Sequence, residues 1–97
     1  MRRPEALEKL ALLLPSAKTQ FGVETLSIFG SVARDEATDA SDIDVLVDFD
    51  GPATFDRFMG LKLYLEDALG VPVDLATRRA LKPQMRPRIE AEALRVA

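Results

Sequence analysis

The run Asp42-Ile-Asp-Val-Leu-Val-Asp-Phe49 constrains this chain more than any other stretch. By the period of two, Ile43, Val45, Val47 and Phe49 fall on one face of a strand, and Asp42, Asp44, Leu46 and Asp48 on the other. The first face belongs to a core. The second sets acids where apolar strand residues would be expected. Such a strand needs a sheet covered on one side and a polar use for the other.

The flanking segments supply the rest of that sheet. Pro4 suits a first helical turn, and Leu7, Leu10, Ala11 and Leu14 follow at i, i+3, i+4 and i+7. This helix is expected to end near Pro15 or soon after, with Gly22 marking the turn onward. Thr25 to Phe29 reads as a buried strand stopped by Gly30, Val32 to Glu36 as a short helix, and Thr38 to Ser41 as a polar connection. Beyond the Asp50-Gly-Pro52 turn, from Thr54 to Leu69, Phe58, Leu61, Leu65, Ala68 and Leu69 recur at helical spacing, and Gly70 provides a C-terminal stop. Val71 to Ala76 reads as a short strand carrying Asp74. Pro83 and Pro87 bracket a loop or broken helix, followed by a final helix from about Pro87 to Val96.

This order predicts an α/β fold with a small mixed β-sheet flanked by helices. Bringing Ser31, at the end of one strand, near Asp42, at the start of the next, requires those strands to be antiparallel. The roughly twenty residues between Phe49 and Val71 instead allow a helical crossover to a parallel strand.

Ninety-seven residues fit one domain, 1–97, with no room for a second core. The chain has neither cysteine nor histidine, which excludes disulfides, thiolate metal sites and imidazole bases. Acid–base or metal chemistry therefore falls to carboxylates, lysines, hydroxyls or water. No apolar run approaches the ~20 residues of a membrane span, and the charged N-terminus makes a poor signal peptide, so the cytoplasm is the expected compartment. Charge is unevenly spread. Residues 35–74 hold eleven acids against Arg57 and Lys62, whereas residues 75–97 hold six bases against Glu90 and Glu92. A bare acidic site repels phosphate and needs a cation before it meets a nucleotide.

Asp42 and Asp44 share a strand face, about 6–7 Å apart along the backbone. Carboxylates that close raise each other's pKa unless a cation sits between them. Hard divalent ions such as magnesium bind through a few carboxylates and substrate phosphate oxygens. With Asp74 on the neighbouring strand the set becomes three, enough for two ions, one activating an attacking oxygen and one escorting a triphosphate. Gly30 permits close approach that a side chain would block. Ser31, near a helix N-terminus, offers N–H groups and a hydroxyl to phosphate. Arg34 reaches either the phosphates or its acidic neighbours Asp35 and Glu36. Asp48 is expected to be solvated or paired with a base. Arg78, Arg79, Lys82, Arg86 and Arg88 read either as a phosphate or partner surface or as an ordinary exposed face.

Phe29-Gly-Ser-Val-Ala-Arg34 followed by Ser41-Asp-Ile-Asp-Val-Leu-Val-Asp-Phe49 resembles the polymerase-β-like nucleotidyltransferase superfamily. Within it, the chain is similar to the minimal nucleotidyltransferase (MNT) group, the antitoxin halves of HEPN–MNT toxin–antitoxin pairs. Leu69-Gly-Val-Pro-Val-Asp-Leu-Ala-Thr77 and Ala80-Leu-Lys-Pro83 match that group too, so the resemblance covers nearly the whole chain. Asp35 departs from it, standing where many relatives have glycine.

The resemblance implies a polymerase-β-like palm fold, with Gly30 and Ser31 on the triphosphate and Asp42, Asp44 and Asp74 as metal ligands. Asp74 would also lie near the attacking hydroxyl. It further implies transfer of AMP from ATP, with magnesium, to a tyrosine of a cognate HEPN ribonuclease, where the added anion would block RNA binding or cleavage. Without the extra C-terminal domain of larger relatives, the acceptor is expected to be held by the partner's own surface. The alternative is an antitoxin that neutralises its partner by binding alone. An RNA end-modifying enzyme is a third reading, and the acidic balance and missing aromatic–basic surface argue against built-in nucleic-acid binding.

Overall fold

The computed structural model describes residues 1–37 and 42–96, so the polar connection expected over Thr38 to Ser41 lies outside the described residues. Four strands, β1 (Val23–Phe29), β2 (Ile43–Phe49), β3 (Val73–Thr77) and β4 (Leu94–Arg95), form one sheet in the order β3-β2-β1-β4. β1 runs antiparallel to β2, and β3 runs parallel to it, the two pairings predicted from the sequence.

Two helices cover one face of this sheet. α1 (Arg3–Phe21) contributes Ala6, Leu10, Leu14 and Ala17, and α3 (Phe55–Leu69) contributes Leu61, Leu65 and Leu69. These pack with Leu26, Ile28, Ile43, Val45, Val47 and Val73 into a single apolar cluster. The strand residues in that cluster are the ones that alternate with Asp44, Leu46 and Asp48, so the acids emerge on the opposite face. α2 (Gly30–Ala33) and α4 (Arg86–Glu92) are the short helices that contact one another beside that face.

The long crossover helix is defined at both ends by its own residues. Thr54 Oγ1 accepts a hydrogen bond from Arg57 N at 3.2 Å, and Gly70, at φ +73°, donates its N–H to Glu66 O. Glu66 then ties the helix to the next strand: its carboxylate accepts from Lys62 Nζ and from Val73 N, each at 2.9 Å. Asp74 follows directly, so this contact fixes where that acid enters the sheet.

Three helices differ from expectation, and the short α2 spans Gly30–Ala33 rather than Val32 to Glu36, because Gly30 itself turns at positive φ into the helix. α1 does not stop at Pro15 but continues to Phe21, ending at Gly22 with φ +70°. A proline inside a helix costs about 3 kcal/mol, but burial of one large side chain returns about 1.5–3 kcal/mol. Beyond Pro15, Ala17 is fully buried and Phe21 packs its ring on Tyr64 with centroids 5.6 Å apart, so tertiary packing carries the helix through. The last helix ends at Glu92 rather than Val96. Leu94 and Arg95 instead pair with Ile28 and Ser27, and Val96 N donates to Leu26 O at 2.8 Å. An open β1 edge would leave backbone groups unpaired, and these residues cover it. Among the described residues, no helix is long and apolar enough to cross a membrane.

Candidate active site

The site grows from the point where β1 ends and β2 begins. Phe29 is the cross-strand partner of Asp44, so the chain leaving β1 passes directly beside that carboxylate. Gly30 turns there with φ +70°. A Cβ built on Gly30 would overlap the Asp44 carboxylate and lie 2.9 Å from its Cγ. Only glycine satisfies both the backbone angle and this approach. Ser31, half-buried, follows in the first turn of α2, so the Gly-Ser pair and Asp44 form one surface.

On its other side, Asp44 is in register with Asp74 across the parallel β2–β3 ladder. Adjacent strands lie about 4.8 Å apart, so the two acids stand side by side. Burial pushes the Asp44 carboxyl up to about 6, helped by the charge and hydrogen bond of Asp74 and by the charge of Asp42, against a weaker opposing pull from Arg34. Asp42 and Asp74 are themselves exposed.

The donor set suits a hard divalent cation: only carboxylate oxygens, one of them partly desolvated and pressed by two like charges. Among the described residues, no three acidic side chains are gathered tightly enough to enclose an ion. Asp44 and Asp74 form the close pair, and Asp42 stands at the mouth just ahead of β2.

Arg34 is drawn towards acids. It donates to Glu36 Oε2 at 3.2 Å, one of the pairings considered from sequence, and to Glu92 Oε2 at 3.0 Å. The second partner is not legible in the sequence. Glu92 Oε1 also accepts from Gly30 N at 3.0 Å, so one carboxylate bridges the glycine and the arginine. Burial pushes Glu92 up, but the Gly30 N–H and Arg34 outweigh it and hold its carboxyl below the usual range. No spacing rule links residues sixty positions apart, and only the fold reveals this contact.

The remaining charges are largely structural. Asp48 accepts from Thr25 Oγ1 at 2.7 Å and from Arg78 Nε at 3.3 Å, so of the two expected positions, solvated or paired with a base, it takes the second. Arg78 also reaches Glu90, and Arg86 donates to the carbonyls of Arg78 and Leu81. A concavity of about 560 Å³ opens near Asp48, Thr77, Arg78 and Arg79, away from the Asp44–Asp74 pair. Arg78 therefore brings little free charge to it.

Asp35 has φ +60°. That left-handed conformation is one that glycine adopts freely and that aspartate tolerates better than most residues. The backbone at Asp35 thus holds an angle that a glycine would adopt without strain.

Comparison with known proteins bears on the family and the fold. Residues 10–97 match the family model for the nucleotidyltransferase domain. The chain is 40% identical over 80 residues to the protein adenylyltransferase MntA of Thermococcus cleftensis, covering 78% of this chain and 81% of that protein. It is 41% identical over 80 residues to a Methanocaldococcus jannaschii protein provisionally named a protein adenylyltransferase, MJ0128, covering 81% and 82%. Among solved structures, one provisionally described as a minimal nucleotidyltransferase superposes with a TM-score of 0.81 at 38% identity, covering 97% of this chain and 95% of that one. A toxin–antitoxin structure with AMP-PNP shares the fold at a TM-score of 0.76 and 21% identity, covering 94% and 72%.

Proposed function

Because this chain belongs to the nucleotidyltransferase-domain family, we propose that it is a magnesium-dependent protein adenylyltransferase, an antitoxin that modifies a tyrosine of a cognate HEPN ribonuclease in the cytoplasm. The observation that carries this reading is the contact of Gly30 with Asp44, with Asp74 in register on the other side. It supports the reading by setting the Gly30-Ser31 turn and the Asp44–Asp74 carboxylates on one surface. Two relatives at about 40% identity bear the name protein adenylyltransferase, and two toxin–antitoxin structures share the fold.

In this reading Asp44 and Asp74, with Asp42 drawn in from the start of β2, would hold up to two magnesium ions, which would neutralise the triphosphate and make its α-phosphorus more electrophilic. The N–H groups and hydroxyl of Gly30 and Ser31 orient the triphosphate of ATP, and Arg34 adds a cationic contact to it. Asp74, at the exposed edge of the pair, receives the proton of the acceptor hydroxyl. The hydroxyl oxygen bonds to the α-phosphorus, the bond to the bridging oxygen breaks, and pyrophosphate leaves. One domain suffices for these steps, because the acceptor is presented by the partner.

The test is the fate of label. With magnesium and partner present, label from the α-phosphate of ATP should become attached to protein while label from the γ-phosphate should not. Attachment of γ-label would instead reveal a phosphotransferase.

A further inference from the structure

Glu92 occupies the two donors that the proposed triphosphate site would need. Its Oε1 accepts from Gly30 N and its Oε2 from Arg34 Nη1, both at 3.0 Å. A carboxylate that bridges a backbone N–H and a guanidinium uses the donor pattern that a phosphate uses. The Glu92 side chain is only 17% exposed and its bond to Gly30 is partly buried, whereas Arg34 closes the contact from the surface side. The backbone around it is held on both sides: Ile89, three residues earlier, is buried, and Leu94 and Arg95 pair with β1. Only the Glu92 side chain has to move to free the donors.

From this geometry we propose that Glu92 is a built-in competitor of the nucleoside triphosphate. In the nucleotide-free protein it satisfies Gly30 and Arg34, and the triphosphate displaces it on binding. The contact keeps the turn between β1 and α2 formed and Arg34 near the site, at the expense of affinity. A nucleotide therefore binds only if its phosphates outcompete a carboxylate, which favours a metal-charged triphosphate over a monophosphate. This inference rests on the assignment of Gly30 and Arg34 to nucleotide binding.

The experiment is calorimetric titration of the full chain with magnesium and the α,β-methylene analogue of ATP, alongside Glu92→Gln and Glu90→Gln. Glutamine keeps the size and one acceptor of Glu92 but removes its charge. The proposal predicts that Glu92→Gln binds the analogue roughly tenfold more tightly, the scale of one charge-assisted hydrogen bond exchanged, without any gain in melting temperature. Glu90→Gln, with the same charge change on the same helix, should stay within about twofold of the wild type. A role that is merely structural would leave Glu92→Gln with equal or weaker binding, which overturns the proposal while the nucleotide site stands. Absence of binding in all three proteins overturns the site assignment itself, and this inference with it.

Discussion

Gly30 and Asp44 are in such close contact that a single added carbon on Gly30 would collide with the Asp44 carboxylate. The sequence places them fourteen positions apart, and the antiparallel pairing of β1 with β2 brings them together. This relationship joins the phosphate side of the proposed site to its metal side, and the first prediction comes from it.

Gly30→Ala should abolish transfer and lower stability. The positive φ alone costs about 1–2 kcal/mol for a residue with a Cβ, and the collision with Asp44 adds to that. Ser31→Ala has no such clash and should keep its melting temperature while weakening nucleotide binding. Thermal melts with label-transfer assays on both variants separate the two effects.

Asp44→Asn should make the metal-free protein more stable while it eliminates activity. Removing the charge relieves burial and the repulsion from Asp74 and Asp42, a gain of about 1 kcal/mol once solvent screening is allowed for. A residue kept for stability alone would show the reverse, and a melt at neutral pH with a chelator decides between them.

The same carboxyl predicts a pH dependence. Its pKa is raised from 3.8 to about 6 in the folded state, so between those values the folded protein holds a proton that the unfolded chain has released. Stability of the metal-free protein from this group is therefore greatest below about pH 4 and declines as pH rises to about 6. Denaturant melts across that range should show the decline in the wild type, and a shallower one in Asp44→Asn.

Asp35, at φ +60°, predicts an asymmetric pair of substitutions. Asp35→Gly should be neutral or raise stability by up to about 1 kcal/mol, because relief of the angle is partly offset by the freedom glycine has when unfolded. Asp35→Val should cost about 1–2 kcal/mol, since a β-branched residue resists this region. Equal melts for both variants would show that the loop relaxes around the substitution.

Much of this molecule is legible in its sequence because the informative signals are local. The alternation from Ile43 to Phe49 defines β2 to the residue, and Thr54 and Gly70 bracket α3 within a residue of the expected span. The antiparallel pairing follows from bringing Ser31 beside Asp42, and the parallel one from the length of the connection between Phe49 and Val71. What escapes is set by tertiary contact. Pro15 is tolerated because Ala17 is buried and Phe21 packs on Tyr64 beyond it, and Leu94 leaves a helical pattern because β1 has an edge to cover. Glu92 is the sharpest case: it carries no local signature of meeting Gly30, and it reaches the site only because α4 lies against α2.

Intact-mass spectrometry would read transfer of AMP to a partner protein without a label. The cognate HEPN protein would be incubated with this chain, ATP and magnesium, in parallel with the Asp44→Asn variant. The partner should gain mass in whole AMP units with the wild type and gain none with the variant. An unmodified partner that is nonetheless held in a tight complex and inhibited would contradict transfer and establish neutralisation by binding alone.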